Sequence, residues 1–107
     1  MKTAKKEKYL RITMPDNSQW DIPVDIIAKN RAEYYAKQDD VPFKESLEED
    51  TLPLFEADEY EIVDWAGNNM DWKDVKDFAF EVLVYKGLKE VDFQDGWVNG
   101  AHEIIEK

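Results

Sequence analysis

The stretch KYLRITMPDNSQWDIPVDIIAKNRAEYYAKQ, residues 8–38, decides the fold, because its apolar residues change from the two-residue period of a strand to helical spacing. In residues 8–14, Leu10, Ile12 and Met14 alternate with Tyr9, Arg11 and Thr13, which is typical of a half-buried strand. The sequence PDNS at 15–18 favours a turn, and residues 19–22 then return as a second strand. We therefore predict a β-hairpin over residues 8–23.

Pro23 ends this hairpin and suits the first turn of a helix. Residues 24–38 place apolar side chains at spacings of three and four, which predicts an amphipathic helix. Arg31 interrupts the apolar stripe. We expect it to pair with a carboxylate, either Asp25 or one from the acidic middle of the chain, or else to lie at an interface. The stripe consists of Val24, Ile27, Ala28, Tyr34 and Tyr35.

Two further helix starts follow. An aspartate with a second acidic residue three positions later is typical of a helix N-terminus, and this pattern occurs at Asp58 and again at Asp71. We predict one helix over residues 58–67, which Gly67 ends, and another over residues 71–79. We expect the tryptophans of the hairpin and of these helices to be core residues: Trp20, Trp65 and Trp72.

The remaining segments have mixed signals. Residues 39–56 fit a short helix followed by an extended segment that Pro53 fixes. Residues 80–85 (FEVLVY) are β-branched and aromatic on both faces, which predicts a central strand. Turns are expected at Lys86-Gly87, Asp95-Gly96 and Asn99-Gly100, and two further strands at residues 88–93 and 101–105.

These elements predict an α+β fold, with a small, mainly antiparallel sheet of three or four strands and helices packed on one face. The length of 107 residues fits a single domain spanning 1–107, in which residues 1–6 are expected to be frayed. The chain contains no Cys and no long apolar run, so we expect a cytoplasmic protein without disulfides.

The charge is concentrated in the middle of the chain. The formal net charge is -11, and residues 39–81 alone hold fifteen acidic side chains against Lys44, Lys73 and Lys76. Such a balance argues against direct binding to nucleic acid or to an anionic membrane surface. It favours a partner with a basic surface.

Catalytic patterns are not found in the sequence. His102 is the only histidine, no Gly-rich phosphate loop occurs, and a calcium loop aligned on Gly96 would need oxygen ligands where Val91 and Phe93 stand. The aspartates spaced by three on one helix, Asp71, Asp74 and Asp77, are compatible with a cation site or an acid–base pair, but a solvated helix face is favoured. We predict that the chain is not an enzyme and has no catalytic residue, no cofactor and no tight metal or nucleotide site.

Three segments resemble a group of small, uncharacterised acidic proteins of tailed bacteriophages. The shared patterns are PVxxIAxxRAxYYA within 20–36, DTLPLF and DWxxNNMxWxDV within 48–75, and DFQDGWVNG at 92–100. These segments cover about half of the chain. The resemblance implies an early or accessory phage protein that acts in the cytoplasm of a bacterium, and it assigns no role to any residue.

Three functions remain open. The favoured one is a non-enzymatic protein that binds a basic host protein, including inhibition by mimicry of nucleic acid. A small self-associating structural or virion protein, such as a homodimer, is the alternative, and a carboxylate-dependent hydrolase ranks last. Trp97 is either a lid over the core or an exposed anchor for a partner. The predicted partner-binding residues are Asp58, Glu59, Glu61, Asp64, Asp71, Asp74, Asp77 and Trp97.

Overall fold

The computed structural model describes residues 7–83 and 92–107. Within these ranges one sheet has the order β3-β2-β1-β4, and every neighbouring pair of strands is antiparallel. The predicted α+β class is confirmed. Residues 1–6, the predicted Lys86-Gly87 turn, and the parts of the predicted strands at 84–85 and 88–91 lie outside the described residues. The strands are β1 (Lys8–Thr13), β2 (Gln19–Pro23), β3 (Phe80–Leu83) and β4 (His102–Glu106).

The hairpin of β1 and β2 confirms the strand pattern. Leu10 lies opposite Ile22, and both side chains are fully buried together with Ile12. In the turn, the carboxylate of Asp16 accepts a hydrogen bond from the backbone N–H of Ser18 at 2.9 Å and another from its hydroxyl. The turn is therefore closed by its own side chains, as Asp and Ser in this pattern predict.

Helix α1 (Val24–Asp39) starts directly after Pro23, in agreement with the predicted helix over 24–38. It ends where Asp40 adopts a left-handed conformation with φ of 54°. Its buried face packs on the sheet and on the following helices, and consists of Val24, Ile27, Ala28 and Ala32.

The prediction of an extended segment around Pro53 is wrong. Helix α2 (Phe43–Glu45) continues through a π-helical turn (Ser46–Thr51) into helix α3 (Leu52–Ala57). In the wider turn the amide of Leu52 bonds to the carbonyl of Leu47, five residues back. Pro53 has no backbone N–H to donate, and it lies in the first turn of α3, where a helix tolerates proline.

Helix α4 (Tyr60–Asn69) lies near the predicted position, but its two ends differ from the prediction. The carboxylate of Asp58 accepts from the amide of Tyr60 at 3.0 Å and not from that of Glu61. Gly67 lies inside the helix, which continues to Asn69. A glycine near a helix end is therefore not sufficient to stop it.

Helix α5 (Trp72–Val75) and the 3₁₀ turn that follows it (Lys76–Phe78) occupy the predicted helix over 71–79. The predicted capping pattern is confirmed, because the backbone N–H of Asp71 donates to the Asp74 carboxylate at 2.8 Å and the Asp71 side chain accepts from the backbone of Asp74. A helix over 71–79 would place Trp72, Val75, Phe78 and Ala79 on one face, but Val75 is fully buried whereas Phe78 is 52% exposed. Val75, with φ of -119° and ψ of -14°, departs from regular helical geometry between α5 and the 3₁₀ turn, so Phe78 does not continue the buried face of α5.

Strand β3 does not have the predicted central position. It pairs with β2 at one end of the described sheet, and all four of its residues are exposed. The two inner strands are β1, which pairs with β2 and β4, and β2, which pairs with β1 and β3. The β-branched and aromatic composition of this segment thus indicated a strand, which the structure shows over residues 80–83, but did not indicate its place in the sheet.

Helix α6 (Phe93–Asn99) replaces the predicted turn at Asp95-Gly96 and the end of the predicted strand at Phe93. The side chain of Asp92 caps this helix by accepting from the amide of Asp95 at 2.9 Å. Gly96 is needed for packing and not for a turn, because a side chain there would overlap Met14 and Pro15. The chain then enters β4, which matches the predicted strand over 101–105 to within one residue.

Aromatic rings join the sheet to α5 and α6. Trp72 stacks on Phe93 with ring centroids 5.3 Å apart, and Trp20 meets Trp72 edge-on at 5.7 Å. Trp65 is 9% exposed and belongs to the core, whereas Trp20 and Trp72 are only partly buried against it. The prediction of three core tryptophans therefore holds fully for Trp65 alone.

Two glycines give opposite predictions for stability. Gly67→Ala is expected to stabilise the protein by about 0.5–1 kcal/mol, because a side chain there meets no atom within 4 Å and alanine favours the helix. Gly100→Ala is expected to destabilise it by about 1–3 kcal/mol, because the new methyl group would overlap the backbone carbonyls of Thr13 and Gly96. Urea unfolding measures both. An unchanged midpoint for Gly100→Ala would contradict the close approach of these backbones.

Candidate protein-binding surface

The carboxylates of α4 lie away from the core. The buried side of this helix carries Ile62, Trp65 and Ala66. Asp64 is exposed one turn after Glu61, and its Oδ1 accepts a hydrogen bond from Asn68 at 2.9 Å. Because positions three and four apart share one side of a helix, Glu61, Asp64 and Asn68 form a polar outer face.

The carboxylates of α5 are held by neutral donors. The side chain of Gln94 bonds to Asp71 Oδ1 at 3.2 Å and accepts from the amide of Trp72 at 2.8 Å. Asp74 turns back to the amide of Asp71. Asp77 is exposed in the 3₁₀ turn. These contacts order the carboxylates without neutralising their charge.

Few of the carboxylates between residues 39 and 81 have a cation close by in the part of the chain that the structure describes. Of the fifteen acidic residues between 39 and 81, all but the half-buried Glu61 are exposed. Within residues 7–83 and 92–107, only two of the fifteen have a cation within 4 Å: Glu59 binds Lys8 at 2.9 Å, and Asp50 binds Arg31 at 3.4 Å. The structure brings Glu61 and Asp64 together on α4, and Asp71 and Asp74 together at the start of α5. We call the whole predicted set the acidic surface: Asp58, Glu59, Glu61, Asp64, Asp71, Asp74 and Asp77.

Trp97 does not belong to this surface. It is 1% exposed, and its Nε1 donates to the carbonyl of Met70 at 2.8 Å. The prediction of an exposed aromatic anchor is therefore wrong. Trp97 lies in a helix whose close approach to Met14 and Pro15 depends on Gly96.

Arg31 pairs with the acidic middle of the chain, which was one of its predicted alternatives, and not with Asp25. Its guanidinium donates to Thr51 at 2.8 Å and lies 3.4 Å from the Asp50 carboxylate. The same guanidinium lies 4.6 Å from the Tyr35 ring centroid and 5.9 Å from that of Trp65. It joins α1, the π-helical turn and α4, which is a structural role.

A charged cluster was not predicted. It lies on the face of the sheet opposite to the one that carries Leu10, Ile12 and Ile22. Arg11 makes two hydrogen bonds to the fully buried carboxylate of Asp21, at 2.8 and 3.0 Å, and Lys107 reaches the same carboxylate at 2.8 Å. Arg11 and Asp21 lie directly opposite each other in the hairpin. The hairpin register, once assumed, would have paired these opposite charges from the sequence.

The pKa of Asp21 follows from two opposing effects. Burial disfavours the charged form and would raise the pKa, but hydrogen bonds from Arg11 and Lys107 outweigh burial and lower it. The pKa of Asp21 is lower in the folded than in the unfolded state. The cluster therefore stabilises the fold at pH values above about 3.9, the ordinary pKa of an aspartate. This stabilisation is lost as the pH falls through the lower, folded-state pKa.

We therefore expect the stability difference between the wild type and Asp21→Asn to be largest near neutral pH and to shrink below about pH 4. Protonation makes the wild-type side chain neutral, as asparagine already is. Urea unfolding of both proteins over a pH series measures this difference. The repulsion among the other carboxylates is common to the two proteins and cancels in the difference. A difference that stays constant down to about pH 2 would contradict the role of the ionised Asp21.

A groove between α1 and α4 was also not predicted. Its volume is about 620 Å³, and its walls include Asn30, Glu33, Tyr34, Trp65 and Asn69. The indole Nε1 of Trp65 donates to Asn30 Oδ1 at 2.9 Å across the two helices. Such grooves form between helices that are distant in sequence, so periodicity along one helix does not reveal them.

Two specific features are absent from the described residues. In the part of the chain that the structure describes, no group of three His, Cys, Asp or Glu side chains is arranged to hold a metal ion. Over the same residues, none of the helices has the length and apolar character needed to cross a membrane. Neither a family model, nor a curated protein, nor a solved structure matches this chain.

Proposed function

We propose that this chain is a non-enzymatic phage accessory protein that acts in the bacterial cytoplasm by binding a basic surface of a host protein through the acidic surface. The observation that carries the proposal is the charge of residues 39–81. Thirteen of their fifteen carboxylates have no cation within 4 Å among the described residues. The resemblance of three segments to acidic phage proteins supports a host protein as the partner.

The physical basis is electrostatic. Like charges on one surface repel each other and lower the stability of the compact state. A lysine- and arginine-rich partner removes that repulsion on binding and is attracted over long range at low salt. Basic protein surfaces of this kind commonly bind nucleic-acid phosphates, so the proposal includes inhibition by mimicry of nucleic acid.

The proposal is tested on the association rate of a basic partner captured from bacterial lysate. The variant combines Glu61→Lys, Asp64→Lys and Asp77→Lys, and leaves Asp71 and Asp74 in place because they cap α5. We expect association to slow by about tenfold or more at low salt and dissociation to change less, since steering acts on the encounter. The rate of the wild type is expected to fall steeply with added salt.

The matched control reverses three exposed carboxylates outside residues 39–81 and has the same net charge: Asp25→Lys, Glu103→Lys and Glu106→Lys. It is expected to slow association less than the variant, because its charges lie outside the acidic surface. Equal rates in the two triple variants would show that only the net charge matters. An acidic captured partner would contradict the proposal.

Self-association is the second candidate, and one observation favours it. Phe80, Val82 and Leu83 on β3 are 54%, 38% and 50% exposed. Apolar side chains on a strand at the end of the described sheet are suited to pairing with a second copy. Sedimentation at low and high salt separates the candidates, because apolar self-association persists at high salt whereas binding through the acidic surface weakens.

A further inference from the structure

The groove between α1 and α4 combines the exposed ring of Tyr34 with one carboxylate, Glu33, and one ammonium group, Lys37. Tyr34 is 52% exposed, although its ring packs on Trp65 with centroids 5.5 Å apart. Glu33 precedes it and is exposed at the same groove. A volume of about 620 Å³ lies within the range of ordinary ligand pockets, about 300–1,000 Å³.

The same aromatic cluster already holds one guanidinium group. Arg31 is largely buried and packs its guanidinium over Tyr35 and near Trp65, at 4.6 and 5.9 Å from the ring centroids. Tyr34 contacts both of these rings from the side of the groove. The rings of Tyr35 and Trp65 thus contact the largely buried guanidinium of Arg31, and they also contact the half-exposed ring of Tyr34 at the groove.

The polar groups of the groove suit a donor-rich ligand. Asn69 donates through its Nδ2 to the carbonyl of Trp65 at 3.2 Å, so its Oδ1 is the atom that can accept from a ligand. The carboxylate of Glu33 is a second acceptor. Lys37 also lines the groove and is its one cation among the described residues. Removing the positive charge of Lys37 should strengthen the binding of a cationic ligand and weaken the binding of an anionic one, so this residue distinguishes the two classes.

We propose that this groove receives an arginine side chain of the basic partner, an inference that rests on the proposed function. The guanidinium stacks on Tyr34 and donates to Glu33 and Asn69. Arginine fits better than lysine because its planar, weakly hydrated group stacks on aromatic rings and presents five N–H donors. The groove then adds a specific contact to the long-range attraction of the acidic surface.

The first test uses a capped arginine-glycine repeat peptide as the probe and its lysine counterpart as the comparison, with calorimetry at low salt. Tyr34→Leu is expected to weaken binding of the arginine peptide about fivefold, the size of an exposed cation–π contact, and binding of the lysine peptide less. Tyr60→Leu is the matched control, because Tyr60 is 67% exposed and does not line the groove. Equal losses in the two variants would overturn the proposal.

The second test uses charge. Lys37→Gln is expected to strengthen binding of the arginine peptide more than Lys44→Gln, which makes the same change of net charge at an exposed site outside the groove. Weaker binding in Lys37→Gln would show that the groove prefers an anion and would overturn the proposal. Both lysines are exposed or partly exposed, so the fold is expected to tolerate either change, and circular dichroism checks this.

The triple reversal at Glu61, Asp64 and Asp77 separates this inference from the proposed function. Weaker peptide binding in the triple variant, together with unchanged binding in Tyr34→Leu, would retain the acidic surface and reject the groove. The opposite result would retain the groove as a cation site and reject the acidic surface. No effect in either variant would reject both.

Discussion

Trp97→Ala is expected to destabilise the protein by about 3–5 kcal/mol, which is a large part of the stability of an ordinary domain. Trp97 is 1% exposed, so its removal leaves a cavity that the packed surroundings fill only in part. The change also removes the N–H that satisfies the carbonyl of Met70. Urea unfolding, with the m-value checked for a two-state transition, measures the loss.

Two control variants separate the contributions. Trp97→Phe keeps most of the ring and loses the hydrogen bond, so its cost is expected to be smaller than that of Trp97→Ala. Val98→Ala changes the next residue of α6, which is 49% exposed, and is expected to cost about 0.5 kcal/mol or less. A loss below about 1 kcal/mol for Trp97→Ala would place the indole outside the core.

Arg11→Leu is the second large prediction, with an expected loss of about 3 kcal/mol in the free energy of unfolding. The change removes both hydrogen bonds from Arg11 and leaves the buried carboxylate of Asp21 with Lys107 alone. Lys107 is about half exposed, so it compensates the buried charge less well than the guanidinium does.

The double variant Arg11→Leu with Asp21→Leu is the control for this prediction. It removes the buried charge along with its partner, and Lys107 can then be hydrated at the surface. We expect the double variant to be more stable than Arg11→Leu alone, because an apolar pair often replaces a buried ion pair at little cost. A double variant that loses the sum of the two single changes would show that the two residues are not coupled.

The elements that the sequence predicted well are those whose signal is local. The two-residue period that includes Leu10 and Ile12 repeats within β1, and the three- and four-residue spacing that includes Ile27 and Ala28 repeats within α1. Both patterns predicted nearly correct bounds for their elements. The capping pattern at Asp71 was equally informative. Such patterns depend on the neighbours along the chain, which a sequence contains in full.

The errors arose where distant contacts decide the conformation. The acidic pattern at Asp92 and Asp95 is the same as at Asp71 and Asp74, but Asp95-Gly96 also resembles a hairpin turn. Only the contact of Gly96 with Met14 and Pro15, directly after β1, explains why a helix contains this glycine. The place of β3 likewise depends on which strands pair on each side, and its composition contains no such information.

The candidate site divides in the same way. Asp58 lies between α3 and α4, Asp64 on the outer face of α4 and Asp77 in the 3₁₀ turn, and their exposure could be predicted from these local positions. The burial of Trp97 depends on the packing of α6 against Met70 and β1, which sequence spacing does not contain. The groove at Tyr34 requires α4 to lie beside α1, so it too became visible only in three dimensions.

The position of β4 beside β1 has a consequence for folding during synthesis. Their paired residues lie 90 or more positions apart in the sequence, whereas β1 and β2 pair across a short turn. Closing the longer loop costs more chain entropy, so the hairpin is expected to form well before β4 joins it. Until the ribosome has released residues 102–106, one side of β1 has no strand to pair with. During that interval a nascent chain exposes a template for pairing with other chains, and the rate of translation through the later residues determines how long the exposure lasts.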